Sequence, residues 1–271
     1  MTTVVIGATG GLGARVVEGL VTAGAAVRTC TRRPFADASD GIDIRTGDLG
    51  DRESLAAAFT GAERVFLVSS PGPDQIVLET NAIEAAERVG CAQIVKVSNI
   101  PIVGLETGLH GNHRAIERRL ATSPLATVVL QPSFFTSVVS RQAELLARGL
   151  LVLPTGPGRI AWIEPEDIAA VAVAALTRDD LVGPLHITGP EALDGDEVAA
   201  RFGVRRLDPP PSEWRDGVVA SGRLDAWLAD STVHLYEAVA RGALAEVTDT
   251  VERVLGRPPR TAFAASAPEG R

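Results

Sequence analysis

Short apolar stretches rich in β-branched residues recur along the first half of the chain, separated by longer stretches whose apolar positions repeat every three or four residues. The first pattern predicts strands over Thr3–Ile6, Ala26–Thr31, Ile42–Arg45, Arg64–Ser69, Gln93–Val97 and Thr127–Leu130. The second predicts helices over Ala14–Ala23, Glu53–Phe59, Pro73–Val89 and Asn112–Ala121, with Ile76, Thr80, Ile83 and Ala86 marking the inner face of the third. Strands and helices in alternation bury a parallel sheet between two helical layers, so the expected class is α/β with a Rossmann-type doubly wound parallel sheet. Beyond Pro132 the alternation weakens. A helix over Phe134–Ala147, short strands near Leu151 and Ile160, and a helix over Pro165–Leu176 are expected there, the last with Glu164, Glu166 and Asp167 at its positive end. A turn-rich segment, Leu185–Gly195, and a rigid connector, Asp208–Ser212, lead to helices carrying Trp214, Leu224, Trp227, Leu228 and Tyr236.

The first strand, turn and helix carry the most specific signal. In VVIGATGGLGARVVEGL, Val4–Leu20, the glycines Gly7, Gly10 and Gly13 follow an apolar run and open a helix whose inner side presents Val16, Val17 and Leu20. A G-x-x-G-x-x-G spacing in that context is a dinucleotide fingerprint: one glycine for the turn, one for close approach of a pyrophosphate, one for helix-on-strand packing. The expected organisation is therefore an NAD(P)-binding domain over 1–155, a smaller, mostly helical C-terminal lobe over 156–263 interleaved with it, and a disordered tail over 264–271. Ligands of such sheets lie at the carboxyl ends of the strands. That rule gathers the loops Gly7–Gly13, Thr31–Arg33, Ser69–Pro73, Ser98–Ile102 and Gln131–Phe135.

Composition narrows the partners. A chain of 271 residues that is 45% hydrophobic has enough apolar mass for a full core. Its net charge of −8 offers no footprint for a nucleic-acid backbone or an anionic membrane surface. The longest small-apolar run, Ile168–Leu176, is about half of the ~20 residues that a membrane span needs. Two cysteines, Cys30 and Cys91, fit core packing in a reducing compartment, so a cytoplasmic location is expected.

Two counts restrict the chemistry. Lys96 is the single lysine and Tyr236 the single tyrosine, so a Tyr-x-x-x-Lys proton relay cannot exist in any register. After the second strand, Arg32 and Arg33 stand where an NAD-binding chain commonly places an acid; a guanidinium suits a 2′-phosphate and favours NADPH. Asp48 and Leu49 follow the third strand, where they would flank the adenine, or Asp48 would cap the helix that begins near Arg52. His113 and Glu117 lie four residues apart on one helix face, as a proton donor and its orienting carboxylate would. The same pair would equally serve as a helix-surface ion pair; a metal reading with His110 lacks a fourth ligand. Lys96 and Ser98 alternate onto one side of their strand, within reach of cofactor or substrate, unless Lys96 stretches to water. Phe134, Phe135 and Trp162 would line an apolar slot or fill the core.

Together these residues resemble the NmrA-like group of atypical short-chain dehydrogenases/reductases. The likeness is carried by VVIGATGGLG, TRRP, GDLGDRESLAAAFTGAERVFLVSSPGPDQ, QIVKVS, HRAIERRLATSPLATVVLQPSFF, GPGRIAWIEPEDIAAVA and GRPPRT, over about residues 2–260. The resemblance implies cofactor contacts at Gly7, Thr9, Gly10, Gly11, Leu12, Gly13 and Arg32, and around Ser69, Ser70, Ser98 and Pro132. It places His113 and Glu117 on the helix before the sixth strand, and departs at Gln131, where an arginine is more usual. It implies an NADPH-dependent reductase, of quinone or dye type, acting on a small, electron-poor, planar and aromatic substrate such as a ketone or quinone. The same group includes non-catalytic NAD(P)-binding redox sensors, which is the second reading; an epimerase or dehydratase suffers from the missing Tyr/Lys pair. The preference for arginine over lysine, with many alanines, is typical of a high-GC bacterial source.

Overall fold

In the computed structural model, residues 1–33 and 41–264 are described. The elements run β1 (Thr2–Ile6), α1 (Gly11–Thr22), β2 (Ala26–Thr31), β3 (Asp43–Thr46), α2 (Arg52–Phe59), β4 (Arg64–Leu67), α3 (Gln75–Arg88), β5 (Gln93–Val97), α4 (Gly108–Leu120) and β6 (Ala126–Pro132). They continue with α5 (Ser137–Ser140), α6 (Ala143–Ala147), β7 (Leu150–Val152), α7 (Pro165–Thr177), β8 (Gly183–Ile187), α8 (Gly195–Phe202), β9 (Arg205–Leu207), α9 (Pro211–Ala220), α10 (Ala226–Ala240) and α11 (Thr250–Leu255). Seven strands form one sheet in the order β3-β2-β1-β4-β5-β6-β8. Its pairs from β3 to β6 are parallel. This is the expected doubly wound arrangement, with the order reversing between β1 and β4. Every residue of β4 and β5 is buried, as strands covered on both faces require.

The chain divides into two compact units, each with its own core. The first comprises Met1–Asn99, Gly111–Gln131 and Ile168–Leu185. It packs Val4, Ile6, Leu55, Phe59, Val65, Leu67, Ile83, Ile94, Ile116 and Leu120 into one cluster. Within it, Arg64 at the start of β4 donates to the carbonyls of Ala175 and Arg178 and pairs with Asp179, so a nearly buried cation satisfies the last carbonyls of α7. The second unit comprises Ile100–His110, Pro132–Asp167 and His186–Arg271. Its core gathers Leu151, Leu153, Ile160, Trp162, Leu193, Val198, Tyr236, Val239 and Phe263. Asp167, fully buried, accepts from Arg257 (2.7 Å) and from the Arg260 backbone (2.6 Å). Glu164 accepts from Thr136 (2.7 Å) and the Phe263 backbone (3.0 Å). Asp167 thus holds the GRPPRT segment in addition to facing the helix dipole, and Glu164 holds Phe263 just beyond that segment.

Several local expectations are corrected. The inward face of α3 is Gln75, Glu79, Ala82, Ile83 and Ala86, and Ile76 points outward at 38% exposed. The segment expected as one helix over Phe134–Ala147 breaks into α5 and α6. At the break, the Gln142 side chain donates to Val152 O (2.9 Å) and accepts from Val152 N (3.0 Å), an exchange that extends β7 laterally. Ile160 forms isolated bridges to Leu193 and Leu244, and Leu185 belongs to β8 rather than to a turn. Asp51, not Asp48, caps α2, accepting from the backbones of Glu53 and Ser54. Pro34, and the tail beyond Ala264, lie outside the described residues.

Phe66 is fully buried at the centre of the sheet. Phe66→Ala is expected to lower unfolding stability by about 3–5 kcal/mol, read from the midpoint of a urea titration.

Candidate functional site

The glycine turn packs against the end of a neighbouring strand. Gly7 holds φ at +77°, and a Cβ there would stand 2.5 Å from Val68 O, just beyond β4. A Cβ on Gly13 would lie 2.1 Å from Gly7 O, so α1 sits directly on the turn. Gly10 is the N-cap, with no side-chain hydrogen bond, and the first turn of α1 carries no acid. The first N–H groups of the helix therefore meet no capping side chain and no competing carboxylate, while Thr9, Gly10 and Gly11 are exposed and Leu12 is half-buried. This is the cradle that a pyrophosphate needs, at the sheet's switch point, and the residues present fit a dinucleotide.

The neighbouring loops extend that surface. Arg32 and Arg33 are exposed at the end of β2, and neither guanidinium pairs with a described residue; Thr31 donates to Arg33 O (2.9 Å). At the exit of β3, Gly47 allows close contact with Cys30, whose Sγ would lie 2.5 Å from an added Cβ. The Asp48 side chain accepts from Gly50 N (2.8 Å), shaping the turn, and Leu49 O accepts from Asn81 (2.8 Å). Burial first, and the Asp48 charge second, push the Cys30 thiol up to about 11. After β4, Ser69 is half-buried and Ser70 exposed, and Asn112 of α4 donates to Gly72 O (2.9 Å) to hold that loop.

Next to these loops is a buried polar cluster. Two residues apart on a strand and four apart on a helix are nearly equal lengths. The Lys96–Ser98 pair of β5 and its following residue therefore matches the His113–Glu117 pair of α4. Lys96 Nζ lies 3.2 Å from His113 Nδ1, and Ser98 Oγ donates to Glu117 Oε1 (2.6 Å). Lys96 also pairs with Glu79 of α3 (2.7 Å), both side chains being 0% exposed, and donates to Val97 O. Glu79 in turn accepts from Ser69 (2.7 Å) and Gln75 (3.0 Å). The carboxylate expected to orient His113, Glu117, is engaged by Ser98, by Arg114 (2.7 Å) and by Gln131 (2.9 Å). Arg114 also reaches Asn99 O (2.7 Å) and Oδ1 (3.0 Å), and burial pulls its guanidinium below its ordinary value. Buried Gln131 Oε1 meets no described donor, leaving an acceptor available to a ligand.

Lys96 does not stretch to water, because the strand is central and the lysine is paired beneath α3 and α4. Sequence reasoning missed Glu79, Gln75 and Arg114. An acid on a helix reads as solvated, yet Gln75 and Glu79 share the period that buries Ala82, Ile83 and Ala86, and this is the signal that finds them. Of the other expected positions, Pro132 ends β6 and belongs to the second unit, where its carbonyl accepts from Ile100 N (3.2 Å). Phe134 and Phe135 are half-buried there; Phe134 stacks on fully buried Trp162 at 5.2 Å and meets Tyr236 edge-on at 6.2 Å. Burial raises the Tyr236 phenol well above its usual range. Among the described residues, no cluster of three metal-binding side chains forms, and no helix is long and apolar enough to cross a membrane.

A sequence model of NAD(P)H-binding proteins matches residues 7–179. An NAD(P)H azoreductase of Xenophilus azovorans is 33% identical over 95% of this chain and 94% of its own. The (4-alkanoyl-5-oxo-2,5-dihydrofuran-3-yl)methyl phosphate reductase of Streptomyces griseus is 30% identical over 94% of this chain and 93% of its own. The structure of the NADPH-dependent quinone oxidoreductase of Escherichia coli complexed with NADPH matches with a TM-score of 0.87 at 25% identity, covering 96% of this chain and 97% of that one.

Burial raises both thiols, Cys30 and Cys91, to about 11, so their reactive thiolates form only as pH climbs towards that value. At about pH 8 the folded protein is expected to react with a thiol reagent at least about a hundredfold more slowly than the urea-unfolded chain. A colorimetric thiol assay reads this directly.

Proposed function

Because this chain belongs to the NAD(P)H-binding family, we propose that it is an NADPH-dependent reductase delivering hydride to a small, planar, electron-poor acceptor of quinone-like or aromatic ketone type. The observation that carries this reading is the uncapped, acid-free N-terminus of α1 seated on the glycine turn at the switch point. Azo groups, quinones and alkanoyl-dihydrofuranones all contain a conjugated π-system with an electronegative atom able to take up negative charge when hydride adds, which supports one acceptor class. When bound, the nicotinamide supplies the hydride.

The chain's own residues bind, orient and stabilise. Gly7, Thr9, Gly10, Gly11, Leu12 and Gly13 hold the pyrophosphate on backbone N–H groups, and Arg32 with Arg33 takes the 2′-phosphate. Asp48 and Leu49 flank the adenine, and Ser69, Ser70 and Ser98 border the ribose nearest the chemistry. His113 donates a hydrogen bond to the electronegative atom on which charge develops as hydride arrives. Glu117 is fixed by Ser98, Arg114 and Gln131 and stiffens that helix face. Two free, buried thiols support a cytoplasmic location.

Mixing the protein with NADPH and a panel of quinones should consume the cofactor absorbance; binding without consumption would overturn the reductase reading in favour of a sensor. Arg32→Ala is expected to weaken NADPH by about ten- to a hundredfold and leave NADH within about twofold, by fluorescence titration. His113→Ala is expected to lower kcat by about a hundredfold with NADPH affinity unchanged.

A further inference from the structure

Lys96 is the chain's single lysine, and it has no exposed surface. An ammonium has three protons and no acceptor. Two of its contacts are hydrogen bonds, to Val97 O and, at 3.2 Å, to His113 Nδ1, and the third is an ion pair with Glu79 Oε2 at 2.7 Å. The carboxylate that faces it, Glu79, is also fully buried and takes further hydrogen bonds from Ser69 and Gln75. At 2.7 Å, with both side chains fully buried, the two groups form an ion pair whose anion is Glu79. Lys96 is therefore the charged partner.

We infer that Lys96, held by Glu79, is a positioning residue that keeps His113 a neutral imidazole with its proton on Nε2. This rests on the role given to His113 above. Facing an atom that only donates, Nδ1 must accept, so the ring proton is on Nε2. A second ring proton would set an imidazolium against an ammonium where water is largely excluded. Lys96 of β5 faces His113 Nδ1 with Glu79 of α3 paired behind it, and Arg114 and Glu117 are the charged neighbours that follow on α4. Glu117, the negative group among those helix neighbours, has its carboxylate engaged by Ser98, Arg114 and Gln131.

The chemical consequence is specific. As hydride adds to the acceptor, two electrons and one hydrogen arrive at one end of the conjugated bond, and negative charge collects on the electronegative atom at the other. The Nε2–H of His113 stabilises that charge and keeps its proton; the second hydrogen of the product comes from water. His113 acts as an electrophile, and the path Ser69–Glu79–Lys96–His113 ties its tautomer to the loop after β4.

The test uses the full chain labelled with 15N-histidine, without cofactor or acceptor. Long-range 1H–15N spectra report which ring nitrogen is protonated, and the signals lost in His113→Asn identify the residue. The expected result is a bare Nδ1 and a protonated Nε2, unchanged from about pH 5.5 to 8. In the Glu79→Gln/Lys96→Met double variant, which removes both charges together, the same signals should titrate near the ordinary value of about 6.5. The variant's kcat/KM should gain a limb at that pH, while KM for NADPH stays within about twofold. A proton on Nδ1, a second proton taken up by wild-type His113 within that range, or a double variant with unaltered spectra would each overturn the inference. Should the double variant not fold, the wild-type spectra decide alone. Since the spectra need no turnover, their failure is distinct from a failure to consume NADPH.

Discussion

A carboxylate and an ammonium, neither with any exposed surface, face each other at 2.7 Å in the first unit, and the polar interior depends on them. Glu79 comes from α3, Lys96 from β5 and the imidazole they address from α4, so the pair joins two helices to the sheet between them. Apolar residues of similar volume would cost less to bury. What the pair supplies instead is position: the buried ammonium donates to Val97 O and faces His113 Nδ1, and a ring nitrogen beside it has one available role. The neighbouring cluster of Ser98, Arg114, Glu117 and Gln131 is built the same way, with Arg114 giving Glu117 the cation that the family pattern leads one to expect at position 131.

These polar groups are useful because of where the sheet ends. Reversal of strand order between β1 and β4 opens the crevice into which α1 points its first N–H groups. Close packing makes that crevice: Gly13 lies on Gly7, and Gly7 on Val68, with distances no larger residue tolerates. The loop after β4 then begins with Ser69, whose hydroxyl already belongs to the Glu79 chain. The loop beside the glycine turn and the buried polar cluster are thus joined through one hydroxyl.

Much of the fold was legible because hydrophobic periodicity is a local record of which face is covered. The strands β2 and β5 have the boundaries that the pattern predicts, and the glycine spacing placed a helix at the turn, although α1 begins at Gly11 and not at the expected Ala14. Where the reading went astray, a long-range contact overruled local preference. Ile76 looks like a core residue until Gln75 and Glu79 are seen to occupy the inner face, recruited by Lys96. The helix over Phe134–Ala147 looks continuous until Gln142 is seen exchanging hydrogen bonds with Val152. Likewise, Asp48 and Asp51 are equivalent candidates for a cap by type, and only the path of the turn decided between them.

By itself, then, the sequence determined a doubly wound sheet, a glycine turn open to a pyrophosphate, arginines where a 2′-phosphate would sit, and a histidine and a glutamate on one helix face. The sheet follows from the alternation of strand and helix patterns along the chain, and the others from spacing within a single strand, turn or helix. Only the tertiary structure decided that Glu117 serves Ser98, Arg114 and Gln131 while Lys96 addresses His113, and that Glu79 stands behind Lys96. The physical reason is that a polar side chain's role is set by the group facing it. For a buried group that partner comes from another element, and its identity depends on how α3 and α4 settle against β5.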